Sequence, residues 1–399
     1  MSELDLSSKT FVDNPYPAYI EIHKAGGFHH CHSSGLYYVA AYPLVQQLFR
    51  HAHASSNRIA PLEKSIPDGL QAFARPLIDS LEKWLLFLDP PQHAQLRKLI
   101  NPAFSNSQID LLEEQIKQIA VDLAESFRSD TAVDLVAEYA YPLPVMVIAK
   151  LFGCPLSDAP LLKRWSDHLA KFLGTKANLQ NANDARNSIV EATDYFSALL
   201  HTQKQHPKDN ILQRFIDYQQ ADKTFSDEHI VANSIALIFA GHETTTNLIA
   251  NAIWCALRFQ PSMQYSSEED IIALIEESLR FESPIQRIGR LTTAPIKLDN
   301  ARTIAMGKRI ILMMGAANRD PVIFSNPNEF MPNREKKLNL AFGYGAHQCS
   351  GANLARLETQ IALKNILALS PQLVPEFKPE WHYNLGFRAM RELNVILTT

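Results

Sequence analysis

The sequence has little cysteine and little glycine: it contains 4 cysteines and 14 glycines in 399 residues. The cysteines, at positions 31, 154, 255 and 349, show no Cys-x-x-Cys spacing. We therefore expect neither a disulfide framework nor a structural zinc site. The run at residues 29–32 (HHCH) is interpreted as loop or strand surface, because adjacent side chains cannot all face one ion. A metal site is the alternative interpretation.

A charge excess and a long apolar run are also absent. There are 38 Lys and Arg against 42 Asp and Glu, a net charge of −4, which does not favour nucleic acid or an anionic membrane as the main partner. The N-terminus (MSELDLSSKTF) lacks the basic and apolar regions of a signal peptide. The longest apolar stretch, residues 230–257, is interrupted by His242, Glu243 and three threonines, so no membrane span is predicted. We expect a cytoplasmic, monomeric protein.

Helical periodicity dominates what is present. It predicts helices over residues 108–128, 143–152, 159–173 and 185–205, and a long central helix over 226–260 of about 50 Å. Strand-like segments are short and lie near residues 36–40 and over 290–314. The prolines of residues 55–86 predict a mobile loop region for substrate access. The fold class is mainly α with a small β portion, in a single domain over residues 1–399.

Three of the 14 glycines, Gly343, Gly345 and Gly351, lie around one thiol in the stretch FGYGAHQCSGANLAR at residues 342–356. Cys349 precedes an amphipathic helix, whose N-terminus stabilises an anion such as a thiolate. From the residues alone, three interpretations stay open. Cys349 could be a buried structural cysteine, a nucleophile with His347 as its base, or the single axial ligand of a haem.

This stretch resembles the haem-binding loop of the cytochromes P450, whose pattern is Phe-Gly-x-Gly-x-His/Arg-x-Cys-x-Gly followed by a helix. The resemblance implies the cytochrome P450 fold, haem b as cofactor and Cys349 as the ligand of the haem iron. It also implies that Phe342, Gly343 and Gly351 contact the haem. Ser350 departs from the family, where an apolar residue usually follows the thiol.

A second part of the resemblance is the pair Glu277 and Arg280 in IEESLRFESP. From spacing alone this is an i,i+3 ion pair, and most such pairs are solvated and contribute little stability. The resemblance to the Glu-x-x-Arg motif of the family implies instead a buried cluster with Arg334. Its implied role is folding and haem retention.

The long helix carries AGHETTTN at residues 240–247. Glycine and threonines weaken a core helix, and a slightly defective core helix is the alternative to a functional segment. The stretch is similar to the oxygen-activating segment of the family. That similarity implies that Ala240 contacts the haem, and that Thr244 and Glu243 are catalytic residues that deliver protons during activation of O₂.

Four further residues match family positions that contact the haem propionates. His93 and Arg97 are four residues apart and therefore share one face of a helix. Arg290 lies in IGRLTT, and His347 lies in the thiol loop.

The resemblance implies a monooxygenase that inserts one oxygen atom from O₂ into a lipophilic small molecule, by hydroxylation or epoxidation. No flavin or nicotinamide fingerprint is present, so electrons from NAD(P)H should arrive through a separate ferredoxin and ferredoxin reductase. Lys98, Lys336 and Lys337 are candidates for their docking. Secondary-metabolite tailoring and fatty-acyl oxidation are both possible, on a free or a carrier-bound substrate, and Arg287 or Arg388 could anchor a carboxylate. Use of peroxide, isomerisation, and a non-enzymatic haem sensor or carrier are the alternatives.

Overall fold

A computed structural model describes residues 4–125, 127, 131–176, 178–260, 265, 267–335 and 338–397. Its internal contacts divide the chain into two compact units. The first unit comprises Met1–Ser55, Ala120–Ala140 and Thr244–Thr399, and the second comprises Ser56–Ile119 and Tyr141–Glu243. Within the described ranges, no helix is both long and apolar enough to cross a membrane.

Helices make up most of the described chain. In chain order they are α1 (Lys9–Asp13), α2 (Tyr16–Lys24), α3 (Tyr42–Arg50), α4 (Ile59–Lys64), α5 (Asp68–Leu81), α6 (Gln92–Ala103), α7 (Asn106–Asp110), α8 (Glu113–Ala124), α9 (Pro142–Phe152), α10 (Ala159–Gly174), α11 (Leu179–Gln205), α12 (Ile211–Ala221), α13 (Asp227–Phe259), α14 (Glu268–Phe281), α15 (Met314–Ala317) and α16 (Ala352–Ala368). Short 3₁₀ turns lie at Leu85–Phe87, Leu156–Asp158 and Gly345–His347, and a π-helical turn lies at Val136–Ala140.

The strands are short. They are β1 (Phe28–Cys31), β2 (Leu36–Val39), β3 (Ala54–Ser55), β4 (Ala132–Asp134), β5 (Ile288–Thr292), β6 (Ile296–Lys297), β7 (Thr303–Ile304), β8 (Arg309–Leu312), β9 (Pro371–Leu373) and β10 (Asn394–Leu397). All of them belong to the first unit. The prediction of a mainly helical chain with a small β portion is confirmed, whereas a single domain over residues 1–399 stays a prediction.

The largest sheet of the first unit has the order β1-β2-β8-β5-β3. Strands β2 and β8 are parallel, and the other neighbours are antiparallel. One face packs on α3, whose Val45 and Leu48 are fully buried with Val39 and Leu312 of the sheet. The register pairs Arg290 of β5 with Ile310 of β8. An arginine is thereby held in a rigid part of the fold. Separate sheets have the orders β4-β10-β9 and β6-β7.

The second unit is helical, and its structure contradicts the prediction of a loop over residues 55–86. Residues 55–86 were expected to form a loop, but they contain α4 and α5. Pro67 occupies the N-cap of α5 and Pro61 lies in the first turn of α4, where a missing N–H breaks no intrahelical bond. Of the three prolines in residues 55–86, Pro76 alone lies in a helix interior. The buried face formed by Leu77, Ile78 and Leu81 holds α5 in place. Prolines at helix starts were misread as loop residues.

The long helix α13 spans Asp227–Phe259, within one residue of each predicted end. It is buried along most of its length. Burial, more than helix propensity, stabilises a helix that carries several weak helix formers.

Candidate functional site

The thiol loop, residues 342–356, is shaped by two glycines in the left-handed backbone region. Gly343 has φ 72° and Gly345 has φ 76°, values that side-chain-bearing residues rarely adopt. A Cβ on Gly345 would lie 3.2 Å from both the Phe49 carbonyl oxygen and Cγ of Arg50. Glycine at 345 therefore permits the loop to pass close to the end of α3.

The loop presents Cys349 at its end. The backbone N–H of Cys349 donates to the Phe342 carbonyl at 2.9 Å, and α16 begins three residues later, with Gly351 as its N-cap. Cys349 is exposed, whereas Cys31, Cys154 and Cys255 are buried. A reachable sulfur held near a helix N-terminus is a suitable thiolate ligand. The geometry disagrees with the interpretation of Cys349 as a buried structural cysteine.

Two cation–π contacts support the thiol loop, one from Arg50 of α3 and one from Arg356 at the end of the loop stretch itself. The Arg50 guanidinium lies 4.2 Å from the ring centroid of Tyr344, and that of Arg356 lies 4.5 Å from the ring centroid of Phe342. Arg356 also bonds Glu276 of α14, with Nε to Oε1 at 2.5 Å. Sequence reasoning gave no role to Arg50 or Glu276, which lie outside any motif, or to Arg356, although Arg356 ends the stretch that carries the thiol.

Arg290 lies near the same part of the first unit. It is 3% exposed, its guanidinium lies 5.4 Å from the ring centroid of Phe49, and Nη1 donates to the Gly289 carbonyl at 2.9 Å. Phe49 in turn lies beside the loop, since a Cβ added to Gly343 would be 3.8 Å from Cε1 of Phe49. His347, half-buried, lies in the 3₁₀ turn of the loop. One exposed thiol with a buried arginine and a histidine nearby fits a haem, which needs one axial ligand and cations for its propionates.

Glu277, Arg280 and Arg334 are brought together and are all buried. Nε and Nη2 of Arg280 donate to the two carboxylate oxygens of Glu277 at 2.8 and 2.7 Å. Nε of Arg334 lies 3.4 Å from Glu277 Oε2. The cluster is therefore a buried pair of arginines sharing one carboxylate, not a solvated surface pair.

This cluster is connected to the thiol loop through Asn318. Nη1 of Arg280 donates to the Asn318 carbonyl at 3.0 Å, and the Asn318 side-chain oxygen accepts from the N–H of Leu340 at 2.7 Å. Leu340 accepts in turn from the N–H of Gly343 at 2.9 Å. The ion cluster thus fixes the segment that leads into the loop.

In the second unit, helix α6 carries His93 and Arg97. His93 is buried and Arg97 is half-buried. The turn before α6 is held by Asp89, whose Oδ1 accepts from the N–H of Ser56 at 2.8 Å. Lys98, a predicted docking residue, is exposed on α6. Lys336 and Lys337, the other two, lie outside the described residues.

Helix α13 is open on one face at its centre. Ala240 is exposed, and Glu243 and Thr244 are half-buried, in a helix otherwise mostly buried. Residues at this spacing share one side of a helix. The predicted catalytic pair therefore lies where a ligand can reach it.

His242, which sequence reasoning left unassigned, lies on the closed face of α13. It is fully buried, and its ring packs edge-to-face on Tyr141 with centroids 4.3 Å apart. Neither ring nitrogen has a hydrogen-bond partner among the described residues. Burial lowers the pKa of His242 to about 3.

Arg287 and Arg388, the two candidate carboxylate anchors, form hydrogen bonds and an ion pair with other residues of the first unit. Arg388 is buried, pairs with Glu282 at 3.0 Å and donates to the Val12 carbonyl at 2.6 Å. Arg287 donates to the Leu6 carbonyl at 3.0 Å. Both tie down the N-terminal segment. Of the two alternatives for Arg388, a substrate anchor or a solvent-facing side chain, the structure shows neither, because the guanidinium is buried and already has a carboxylate partner.

The structure does not support the alternative interpretation of residues 29–32 as a metal site. His30 stacks on Tyr37 with ring centroids 4.2 Å apart. In the part of the chain that the structure describes, no group of three or more His, Cys, Asp or Glu side chains could hold a metal ion.

Comparison with known proteins places this geometry in a family context. The family model described as "Cytochrome P450" matches residues 70–272 and 271–369 of this chain. The chain is 34% identical over 316 residues to "Biotin biosynthesis cytochrome P450" of Bacillus subtilis (strain 168), covering 78% of this chain and 79% of that protein. It is 30% identical over 326 residues to "Polyketide biosynthesis cytochrome P450 PksS" of the same organism, covering 80% and 79%.

The fold is also similar to a solved complex, the crystal structure of P450BioI with an acyl carrier protein ligated to hexadec-9Z-enoic acid. The TM-score is 0.88 at 28% sequence identity, and the match covers 98% of this chain and 100% of that chain.

Proposed function

Because the chain belongs to the cytochrome P450 family, whose members are haem-iron monooxygenases that use O₂, we propose that it inserts one oxygen atom into a lipophilic small molecule by hydroxylation or epoxidation. The observation that carries this proposal is the thiol loop. Cys349 is exposed there while the other three cysteines are buried, and the glycine-shaped turn holds it close to the N-terminus of α16.

The proposed cofactor is haem b, with the sulfur of Cys349 as its iron ligand. Phe342, Gly343, Gly351 and Ala240 contact the macrocycle in this proposal. When bound, the haem iron supplies the oxygen chemistry, and a thiolate ligand favours cleavage of the O–O bond.

The propionates of this haem need cationic partners. We assign them to His93 and Arg97 of α6, to Arg290 of β5 and to His347 of the thiol loop. Burial of His93 and Arg290 supports the assignment, because a donor removed from water forms a stronger bond to a carboxylate.

The chain's own catalytic residues would move protons. Thr244 holds a proton at its hydroxyl oxygen, and the carboxyl group of Glu243 replenishes it. Their partial exposure in the centre of a buried helix supports this role, since a charge on a core helix is otherwise costly. This pair favours O₂ as oxidant over peroxide, which would need no proton delivery.

Substrate and partners are inferred from the relatives. One is named for biotin biosynthesis, one for polyketide biosynthesis, and one is solved with an acylated carrier protein. We propose that this chain oxidises an acyl chain or tailors a secondary metabolite. The electrons come from NAD(P)H through a ferredoxin and its reductase.

The first experiment is the difference spectrum of the dithionite-reduced protein with and without carbon monoxide. The native chain should give a strongly red-shifted Soret band, which would report that the sulfur of Cys349 binds the haem iron as a thiolate. Cys349→His should retain haem and give an unshifted band. Cys154→Ala is the matched control, because this thiol is buried and its pKa is raised to about 11.

The Cys154→Ala variant should match the native spectrum. An unshifted band from the native, haem-loaded chain would remove the central support for the monooxygenase proposal. Ser350, beside the thiol, would then be the first residue to replace by an apolar one.

A further inference from the structure

Arg58, which begins α4 as its N-cap, is an unusual cation in the second unit. Its Nε is fully buried and has no hydrogen-bond partner, although other atoms of the side chain reach solvent. Its guanidinium lies 5.0 Å from the ring centroid of Phe87. Among the described residues, no aspartate or glutamate forms an ion pair with it. The only cause that shifts its pKa is burial, which lowers it to about 10.

Four other buried arginines of the chain have a different environment. Each of these lies within ion-pair distance of a buried glutamate: Arg280 and Arg334 with Glu277, and Arg319 and Arg388 with Glu282. A buried charge is costly unless a partner compensates it. Arg58 has one aromatic ring as partial compensation, and it remains charged at neutral pH. Its guanidinium therefore lacks the carboxylate that these other arginines have.

The surroundings of Arg58 connect it to the proposed haem-binding helix. Ser56, two residues earlier, bonds Asp89 in the turn that precedes α6, and α6 carries His93 and Arg97. Phe87, beneath the guanidinium, is buried and stacks on Trp84 with centroids 6.1 Å apart. Arg58 is thus held by an aromatic wall next to the segment that leads to the proposed cofactor.

We propose that Arg58 binds the carboxylate of a ligand, through the planar fork of donors that suits two carboxylate oxygens. This inference rests on the proposed function. The carboxylate could come from a free acid substrate or from a haem propionate. An acyl chain on a carrier protein is a thioester without a carboxylate, so a substrate held by Arg58 is the free acid.

The experiment uses the haem-loaded full chain with Arg58→Gln and Arg58→Lys, and Arg75→Gln as control. Arg75 lies nearby in α5 but is exposed and paired with Glu63 and Asp79. The probes are hexadec-9Z-enoic acid and its methyl ester. Binding is followed by the spin-state change of the Soret band. It is followed independently by tryptophan fluorescence, because Trp84 stacks on Phe87.

If the substrate supplies the carboxylate, the native chain binds the acid about tenfold more tightly than the ester. Arg58→Gln abolishes this difference, Arg58→Lys keeps part of it, and Arg75→Gln keeps all of it. If a propionate supplies it, Arg58→Gln releases haem to apomyoglobin several-fold faster than Arg75→Gln does, and the acid-to-ester ratio stays that of the native chain.

The proposal is overturned if Arg58→Gln changes neither the acid-to-ester ratio nor the rate of haem release. If the native chain binds neither probe, the fatty acid is not the source of the carboxylate. The rate of haem release then tests whether Arg58 binds a haem propionate. Failure of the proposed function is visible separately, as an unshifted carbon monoxide band in the native chain. The fluorescence and haem-release measurements do not depend on that band.

Discussion

At the residue scale, neighbouring positions of α13 have opposite environments. Glu243 and Thr244 are half-buried on the open face, whereas His242 is fully buried against Tyr141. Tyr141 is fixed from its other side, because its hydroxyl donates to Asp167 at 2.7 Å. The ring of His242 therefore acts as an apolar filler that holds the helix while its neighbours face the opening.

His242 should make the protein less stable in mild acid. Burial lowers its pKa from 6.5 to about 3 in the folded chain, so between these values the unfolded state binds a proton that the folded state does not. The contribution of His242 to the free energy of unfolding is fully present above pH 6.5. It falls as the pH is lowered, by about 2 kcal/mol at pH 5. The measurement is the free energy of unfolding in urea between pH 7 and pH 5. The native chain should show this loss of stability, and His242→Leu should not.

The control for this prediction is His201→Leu, which removes an exposed histidine of α11. It should retain the native dependence of unfolding free energy on pH. An equally steep loss of stability in His242→Leu would mean that other groups cause the acid sensitivity.

At the element scale, the thiol loop depends on the segment that precedes it. The Glu277 cluster fixes carbonyl groups along that segment. Arg280, which donates to the Glu277 carboxylate, also donates to the Pro327 and Glu329 carbonyls at 2.8 and 3.0 Å. The N–H of Met331 donates to Glu277 Oε1 at 2.8 Å. One carboxylate thus organises two arginines and a turn.

Glu277→Gln should destabilise the protein by about 3–5 kcal/mol, since it leaves two buried guanidinium groups without their charge partner. The urea midpoint should fall, and purified protein should contain less haem. Glu21→Gln is the matched control, because Glu21 forms an exposed i,i+3 pair with Lys24 and its loss should cost less than about 1 kcal/mol. Equal midpoints for the two variants would contradict a structural role of the cluster.

Elements whose signal is contiguous could be predicted from the sequence. The long helix α13, the thiol loop and the i,i+3 pair on α14 all depend on neighbouring residues. The family predicted from the thiol loop is confirmed. Strands β3, β6 and β7 have only two residues each, too few for a pattern. The contacts of Phe49 with the loop and of Arg388 with Glu282 join distant parts of the chain, so local sequence carries no signal for them.

At the scale of the whole molecule, the proposed reaction has an external requirement. In the proposed reaction the haem would receive two electrons from NAD(P)H, and we expect the chain to show no NAD(P)H oxidation until a ferredoxin and its reductase are added. With both present, oxidation should accelerate on addition of a substrate that shifts the spin state. Rapid oxidation by the chain alone would contradict the need for separate redox proteins.

Docking of an acidic ferredoxin should depend on exposed positive charge near the proposed haem-binding helix. Lys98 is exposed on α6, one position after Arg97, so Lys98→Glu should slow haem reduction about three- to tenfold at low ionic strength, and salt should reduce the difference. The control is Lys24→Glu, which changes the net charge of −4 by the same amount at another exposed position. It distinguishes an effect of local docking at Lys98 from an effect of net charge. Stopped-flow reduction under carbon monoxide measures the rate directly. Equal slowing by both variants would mean that net charge governs association, and an unchanged rate in Lys98→Glu would show that the ferredoxin binds elsewhere.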